Sequence, residues 1–226
     1  MSMRRFVREN SLALAFLALF LAAVVAQAIA GHAEFNNDQA DHGGSPISFW
    51  RYVVSSSYGV AVMENWQSEY LQFTLFILLT VFLVQRGSPE SKEVGKEGTE
   101  SDAAQRVGPH ATEHSPRWAR DRGLRRRIYE NSLLMVMGAA WVGTWVAQAF
   151  TGVVEYNAER LDHLSEPVSV GQYVGTAAFW ERTLQNWQSE FLAVGSMAIL
   201  AVYLRQRGSP ESKPVGAPHD ATGVEG

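Results

Sequence analysis

The 226-residue sequence contains no cysteine, which excludes a disulfide framework, a thiolate metal site and a cysteine nucleophile. It is equally without a Walker loop, a dinucleotide-binding glycine fingerprint, a nucleophile elbow or an HExxH zinc motif. No catalytic residue and no cofactor is therefore assigned, and a non-enzymatic protein is expected. An excess of positive charge is missing too. The 19 Lys and Arg residues against 23 Asp and Glu give a net charge of -4 and a pI near 5.9, so nucleic acid is not an expected partner. The mean hydropathy of -0.10 resembles that of a soluble chain only because it averages polar stretches with long apolar ones.

Those apolar stretches number four. Leu12 to Ala30 is free of formal charge and, at about 1.5 Å per residue, long enough for a bilayer core of roughly 30 Å. Tyr70 to Val84 reaches that length if its helix begins near Trp66. Ser132 to Thr151 and Phe191 to Leu204 repeat the pattern, the last again needing the preceding WQSE. The predicted spans are thus 12–30, 66–84, 132–151 and 187–204. A cleaved secretory signal is an alternative for the first run, since Arg4, Arg5 and Arg8 precede it and Ala26-Gln27-Ala28 follows within it. Against this, the run is long for a signal core and has a counterpart inside the chain, so it is read as helix one. Of the 19 basic residues three precede helix one, ten lie between helices two and three, and three follow helix four. Lys and Arg accumulate on the cytoplasmic side, so both termini and the central segment are expected there, with loops 31–65 and 152–186 outside.

Displaced by 121 positions, residues 4–95 align with 125–216 without a gap, and about 39 of the 92 pairs are identical. The strongest blocks are Asn65 to Glu69 (NWQSE) with Asn186 to Glu190, and Gln85 to Lys92 (QRGSPESK) with Gln206 to Lys213. Each copy holds two spans, an even number, so both have the same orientation, unlike inverted-repeat transporters. The expected fold is an all-α membrane protein with four transmembrane helices in two tandem parallel two-helix repeats. Its predicted parts are repeat one at 1–92, a disordered cytoplasmic linker at 93–121, repeat two at 122–213 and a flexible tail at 214–226. Aromatic residues across 47–62 and 168–184 predict short interfacial helices in the outer loops.

In RRFVREN before the first span, NWQSE before the second and QRGSPESK after it, the sequence resembles a family of small bacterial inner-membrane proteins known only as a domain of unknown function. The resemblance covers both copies and nearly the whole chain outside the linker. It implies a multi-pass protein of the bacterial inner membrane and assigns no site residue.

Three groups of residues are candidates for a role. In the first, Asn65 and Asn186 could cap a first helical turn, Trp66 and Trp187 could anchor at headgroup depth, and Glu69 and Glu190 could complement a positive helix end. In the second, Gln27 and Gln148 stand at nearly the depth of Glu69 and Glu190, predicting a pseudo-symmetric polar cluster. That cluster is either glue between helices or the wall of a wet cavity. In the third, Asp41 and His42 recur as Asp162 and His163 in acidic outer loops. They offer metal-ligand chemistry but lack helical ligand spacing, and solvated loop residues are the expectation. Expected partners are the lipid bilayer and either another copy of the chain or another membrane protein. The functional expectation is a structural or interaction protein of the membrane; the alternative is a small transporter or channel with a polar path near the outer interface. QRGSPESK reads as a helix C-cap at Gly87, with Ser88-Pro89-Glu90 opening a short cytoplasmic helix that Ser88 caps and Pro89 begins, and this reading leaves the identity of all eight residues without a reason.

Overall fold

In a computed structural model, which describes residues 2–225, the chain is all-helical, with nine α-helices and no strand among the described residues. In chain order they are α1 (Met3–Glu9), α2 (Ser11–Asp41), α3 (Phe49–Val53), α4 (Ser56–Phe82), α5 (Arg117–Arg120), α6 (Leu124–Glu130), α7 (Ser132–Asp162), α8 (Val170–Val174) and α9 (Ala177–Tyr203). The bounds of α1 to α4 recur at a displacement of 121 residues in α6 to α9. Two of the helices, α2 and α7, are long and apolar enough to cross a membrane.

The long helices outrun the apolar segments that predict them. Hydropathy marks where a helix meets lipid, whereas a helix ends where breakers and caps end it. α2 continues from the last apolar residues through GHAEFNNDQAD to Asp41, because nothing interrupts it before Gly43, at φ +74, and the following Gly44 and Pro46. α7 ends at the equivalent place with Leu164 in the same left-handed region, at φ +54. α4 starts ten residues ahead of Trp66. Ser55 Oγ accepts from the Tyr58 amide at 3.3 Å, and Thr176 does the same for Phe179 at the start of α9. Asn65 and Asn186, expected as caps, therefore stand well inside their helices.

The chain divides into two compact units, one of Met1–Val62 with Phe150–Ser169 and one of Met63–Ala149 with Val170–Gly226. In the first, α3 folds back on α2. Buried Tyr52 packs its ring near His32, Phe35 and Tyr58, at centroid distances of 5.9, 5.6 and 5.5 Å. Gly59 and Thr151 approach so closely that a Cβ on Gly59 would lie 2.9 Å from the threonine methyl. In the second unit, Trp145 packs against Phe179, Trp180 and Trp187, each about 6 Å away between ring centres. The segment 93–121, expected to be a disordered linker, runs here as successive turns with a short 3-10 helix at Gly108–His110 and α5. Val107 and Ala119 are buried, Lys92 pairs with Glu100 at 2.6 Å, and Arg126 pairs with Asp102 at 3.2 Å.

Candidate functional site

The NWQSE blocks of α4 and α9 bond to one another. Gln67 is fully buried; its amide nitrogen donates to the Glu64 carbonyl at 3.0 Å, and its Oε1 accepts from Trp187 Nε1 at 2.8 Å. The Ser68 hydroxyl, also buried, reaches the Asn65 carbonyl at 2.9 Å and Glu190 Oε1 at 3.3 Å. Asn186 donates to the Arg182 carbonyl at 2.9 Å, and the Arg182 guanidinium faces the Glu64 carboxylate at 3.9 Å. The buried side chains of Gln67 and Ser68 thus find partners on their own and the facing helix, as a water-poor interior requires. The two blocks are used unequally: Gln67 and Ser68 face inward, while Gln188 and Ser189 are exposed.

The glutamines expected to complete this cluster also differ. Gln148 on α7 is fully buried, whereas Gln27, its equivalent on α2, is exposed and belongs to the other compact unit. Glu190 is partly buried with its serine partner, while Glu69 is exposed and within Coulombic reach of Glu190. Asn, Trp and Glu of the block have roles legible in sequence, whereas Gln67 and Ser68 acquire theirs only from the facing helix. The identity of the block across both copies was the signal that covered them.

In the segments that follow α2 and α7, an asparagine of each helix bonds back to the chain. Asn36 Oδ1 accepts from the Ile47 amide at 2.8 Å while its Nδ2 donates to the Ile47 carbonyl at 3.1 Å. Asn157 makes the same pair with Val168 at 2.8 and 2.9 Å. One carboxamide thus replaces a strand neighbour and fixes where the chain turns back toward α3 or α8. Among the described residues, no three His, Asp or Glu side chains gather as metal ligands would. His42 Nδ1 lies 2.9 Å from the Asp38 carbonyl oxygen, and that bond, followed by the Asp38 charge, raises its pKa above the ordinary imidazole value. Asp41, Asp162 and His163 sit at the exposed ends of α2 and α7.

The two QRGSPESK loops are built alike, and each residue type has a task. Gly87 and Gly208 adopt φ +86 and +81. Ser91 Oγ accepts from the Gln85 amide at 2.8 Å and Ser212 Oγ from the Gln206 amide at 2.9 Å, each closing the loop onto the end of its long helix. Ser88 and Ser209 accept from the amides of Glu90 and Glu211. Lys213, fully buried, donates to the carbonyls of Pro218, His219 and Ala221 at 3.2, 2.8 and 3.2 Å, and burial lowers its pKa. Lys92 reaches the Gly98 carbonyl at 2.7 Å. The tail so ordered crosses to the first loop, where the Gly87 amide donates to Thr222 Oγ1 at 2.8 Å and the Gly223 amide to the Ser88 carbonyl at 3.0 Å. Beside the loops, α4 and α9 border a half-open pocket of about 330 Å³ lined mainly by Phe73, Phe76, Val194 and Met197, with Gln72, Glu90 and Glu211 as its polar lining.

These features define a class: an all-helical protein with two helices fit to cross a membrane and a polar contact between two like sequence blocks. Within that class, the chain belongs to a domain family of unknown function (DUF6766), which matches residues 3–224. Neither the curated proteins nor the solved structures include a significant match to it.

Proposed function

We propose that the chain is an integral protein of the bacterial cytoplasmic membrane, crossing it four times as two tandem repeats of like orientation, and that it acts as a non-catalytic structural or interaction protein. The observation that carries this reading is the outward face of the long helices. Phe16 on α2, Leu79 on α4, Val136 on α7 and Leu192 on α9 are among many large apolar side chains left exposed. Surface of that kind is unfavourable in water and ordinary against lipid tails. The basic residues around α1, after α4, through α6 and after α9 support cytoplasmic termini, and the outer segments hold only Arg51, Arg160 and Arg182.

The displacement of 121 residues shared by four pairs of helices supports the repeat. Gln67 with Trp187 and Ser68 with Glu190 join the two copies of the block, in one direction only, since Gln188 and Ser189 are exposed. Between spanning helices, hydrogen bonds of this type contribute about 1 to 2 kcal/mol in model peptides. The partners are the bilayer and either another copy or another membrane protein. A second reading, a small transporter or channel, draws on the α4–α9 pocket and its polar lining. Flux of protons, cations or small solutes into liposomes holding the protein would favour it over the first.

Alkaline phosphatase and fluorescent-protein fusions test the arrangement. Phosphatase is expected to be active after His42 and His163, and fluorescence to develop after Gly95 and at the C-terminus. Active phosphatase after Gly95 would rule out the proposed topology.

A further inference from the structure

The residues that line the pocket between α4 and α9 fall into four pairs of equivalent positions, the members of each pair 121 residues apart. Gln72 and Ala193, Phe73 and Val194, and Phe76 and Met197 make up its walls, and none of these pairs is identical. Glu90 and Glu211, from the two QRGSPESK loops, are the fourth pair, and here the residue is the same. The pocket thus lies between like faces of the two halves, and each half brings one carboxylate to it. We propose that it is a binding site for a lipophilic organic cation, an ammonium or phosphonium group on an aromatic or aliphatic body, with the body against the apolar walls and the charge beside Glu90 and Glu211.

Each part of the lining selects one part of such a ligand. The volume of about 330 Å³ lies at the low end of the range of small-molecule sites, about 300 to 1,000 Å³. Phe73 and Phe76 offer ring faces that attract a cation within about 6 Å, and Met197 adapts to an irregular shape. The carboxylates decide the sign of the charge. Loop closure uses the backbone amides of Glu90 and Glu211, which donate to Ser88 and Ser209, so it does not call for a carboxyl at either position. The nearby ammonium groups are engaged elsewhere, Lys92 with the Gly98 carbonyl and Glu100 and Lys213 with three tail carbonyls. Among the described residues, no ion pair joins either glutamate to a base. Two like charges at one apolar pocket disfavour a phosphate or carboxylate and favour a cation. A bare metal ion fits less well, because Gln72 is the one other side-chain oxygen in the lining and hard cations take six or more oxygens.

The test is equilibrium dialysis of labelled tetraphenylphosphonium against the full chain in phosphatidylcholine nanodiscs, with the uptake of empty nanodiscs subtracted, at about pH 8, where carboxyl groups are ionised. Saturable binding is expected, and Glu90→Gln/Glu211→Gln should weaken it about tenfold, the effect of removing two partly exposed charges. Ala193→Trp, which fills the pocket and keeps both carboxylates, should weaken it as well. Tetraphenylborate, alike in size and opposite in charge, should show no saturable binding. Equal affinity of the parental chain and the double glutamine variant would overturn the proposal, as would the absence of saturable binding to the parental chain. NMR of methyl-labelled methionine gives a second readout that needs neither charge variant nor filled pocket. Of the six methionines, Met197 should shift with tetraphenylphosphonium and saturate, while Met135, exposed on α7, should not. A Met197 signal that does not move would overturn the site.

Discussion

Gly31 leaves no room for a methyl group, since a Cβ built there would lie 2.2 Å from the Tyr52 hydroxyl oxygen. Tyr52 is buried among His32, Phe35 and Tyr58, so its rigid ring has no easy retreat. Gly31→Ala is expected to destabilise the first unit by about 1 to 3 kcal/mol, the usual range for overpacking. Tyr52→Phe removes the clashing oxygen, so the double variant should recover part of that loss, with a coupling of about 0.5 kcal/mol or more in a thermal or denaturant double-mutant cycle. Strict additivity would show that α3 is not seated on α2 in this way. The asparagine pair belongs to the same scale. Asn36 and Asn157 were legible as repeated residues, yet their backbone-mimicking bonds to Ile47 and Val168 were not, because eleven residues separate each pair in sequence.

Among the elements, the QRGSPESK loops show how one sequence serves two surroundings. A Cβ at Gly208 would meet nothing within 4 Å, whereas one at Gly87 would lie 2.2 Å from the His219 carbonyl oxygen and 2.9 Å from a Val202 methyl. Both glycines have positive φ, so alanine at either carries left-handed strain of about 1 to 2 kcal/mol. Only Gly87→Ala adds a collision with the tail backbone. Limited proteolysis is expected to cleave residues beyond Lys213 faster in Gly87→Ala, while Gly208→Ala keeps the parental rate. Equal cleavage of the two variants would mean the tail does not lie against the first loop. The helix was expected to run to Gly87 and a short helix to open at Ser88, whereas α4 ends at Phe82 and the loop is a run of turns. The reason for all eight identities lay in the serine bonds back to Gln85 and Gln206 and in the lysine reaching for carbonyls, contacts that form only once the loop is closed.

For the molecule as a whole, the proposed repeats are joined by more than the chain between them. Gln67 bonds to Trp187, Ser68 to Glu190, Gly87 to Thr222 and Gly223 to Ser88, each across more than 100 residues of sequence. Co-expressed fragments divided between Gly108 and Pro116, where the chain is polar and largely exposed, should therefore purify together from membranes through a tag on one of them. Combining Gln67→Leu with Trp187→Phe should weaken the association, since a buried hydrogen bond contributes about 0.5 to 1.5 kcal/mol. Fragments that separate in the unsubstituted form would show that the covalent linker, and not these contacts, holds the halves in register.

Apolar runs and self-similarity are properties of the chain, and from them the helical class, the displacement of 121 residues and the approximate positions of the long helices could be read, while the family resemblance lay in the RRFVREN, NWQSE and QRGSPESK motifs. These features rest on local solvation and helix chemistry, which each segment carries with it. The ends of the helices were displaced by about ten residues, because caps such as Ser55 and Thr176 act one bond at a time and leave no mark in hydropathy. Which copy of a repeated residue is buried was beyond any local rule. Gln27 and Gln148 stand in nearly identical sequence, yet one is exposed and the other enclosed, since burial depends on what packs against a helix face and not on the residues along it.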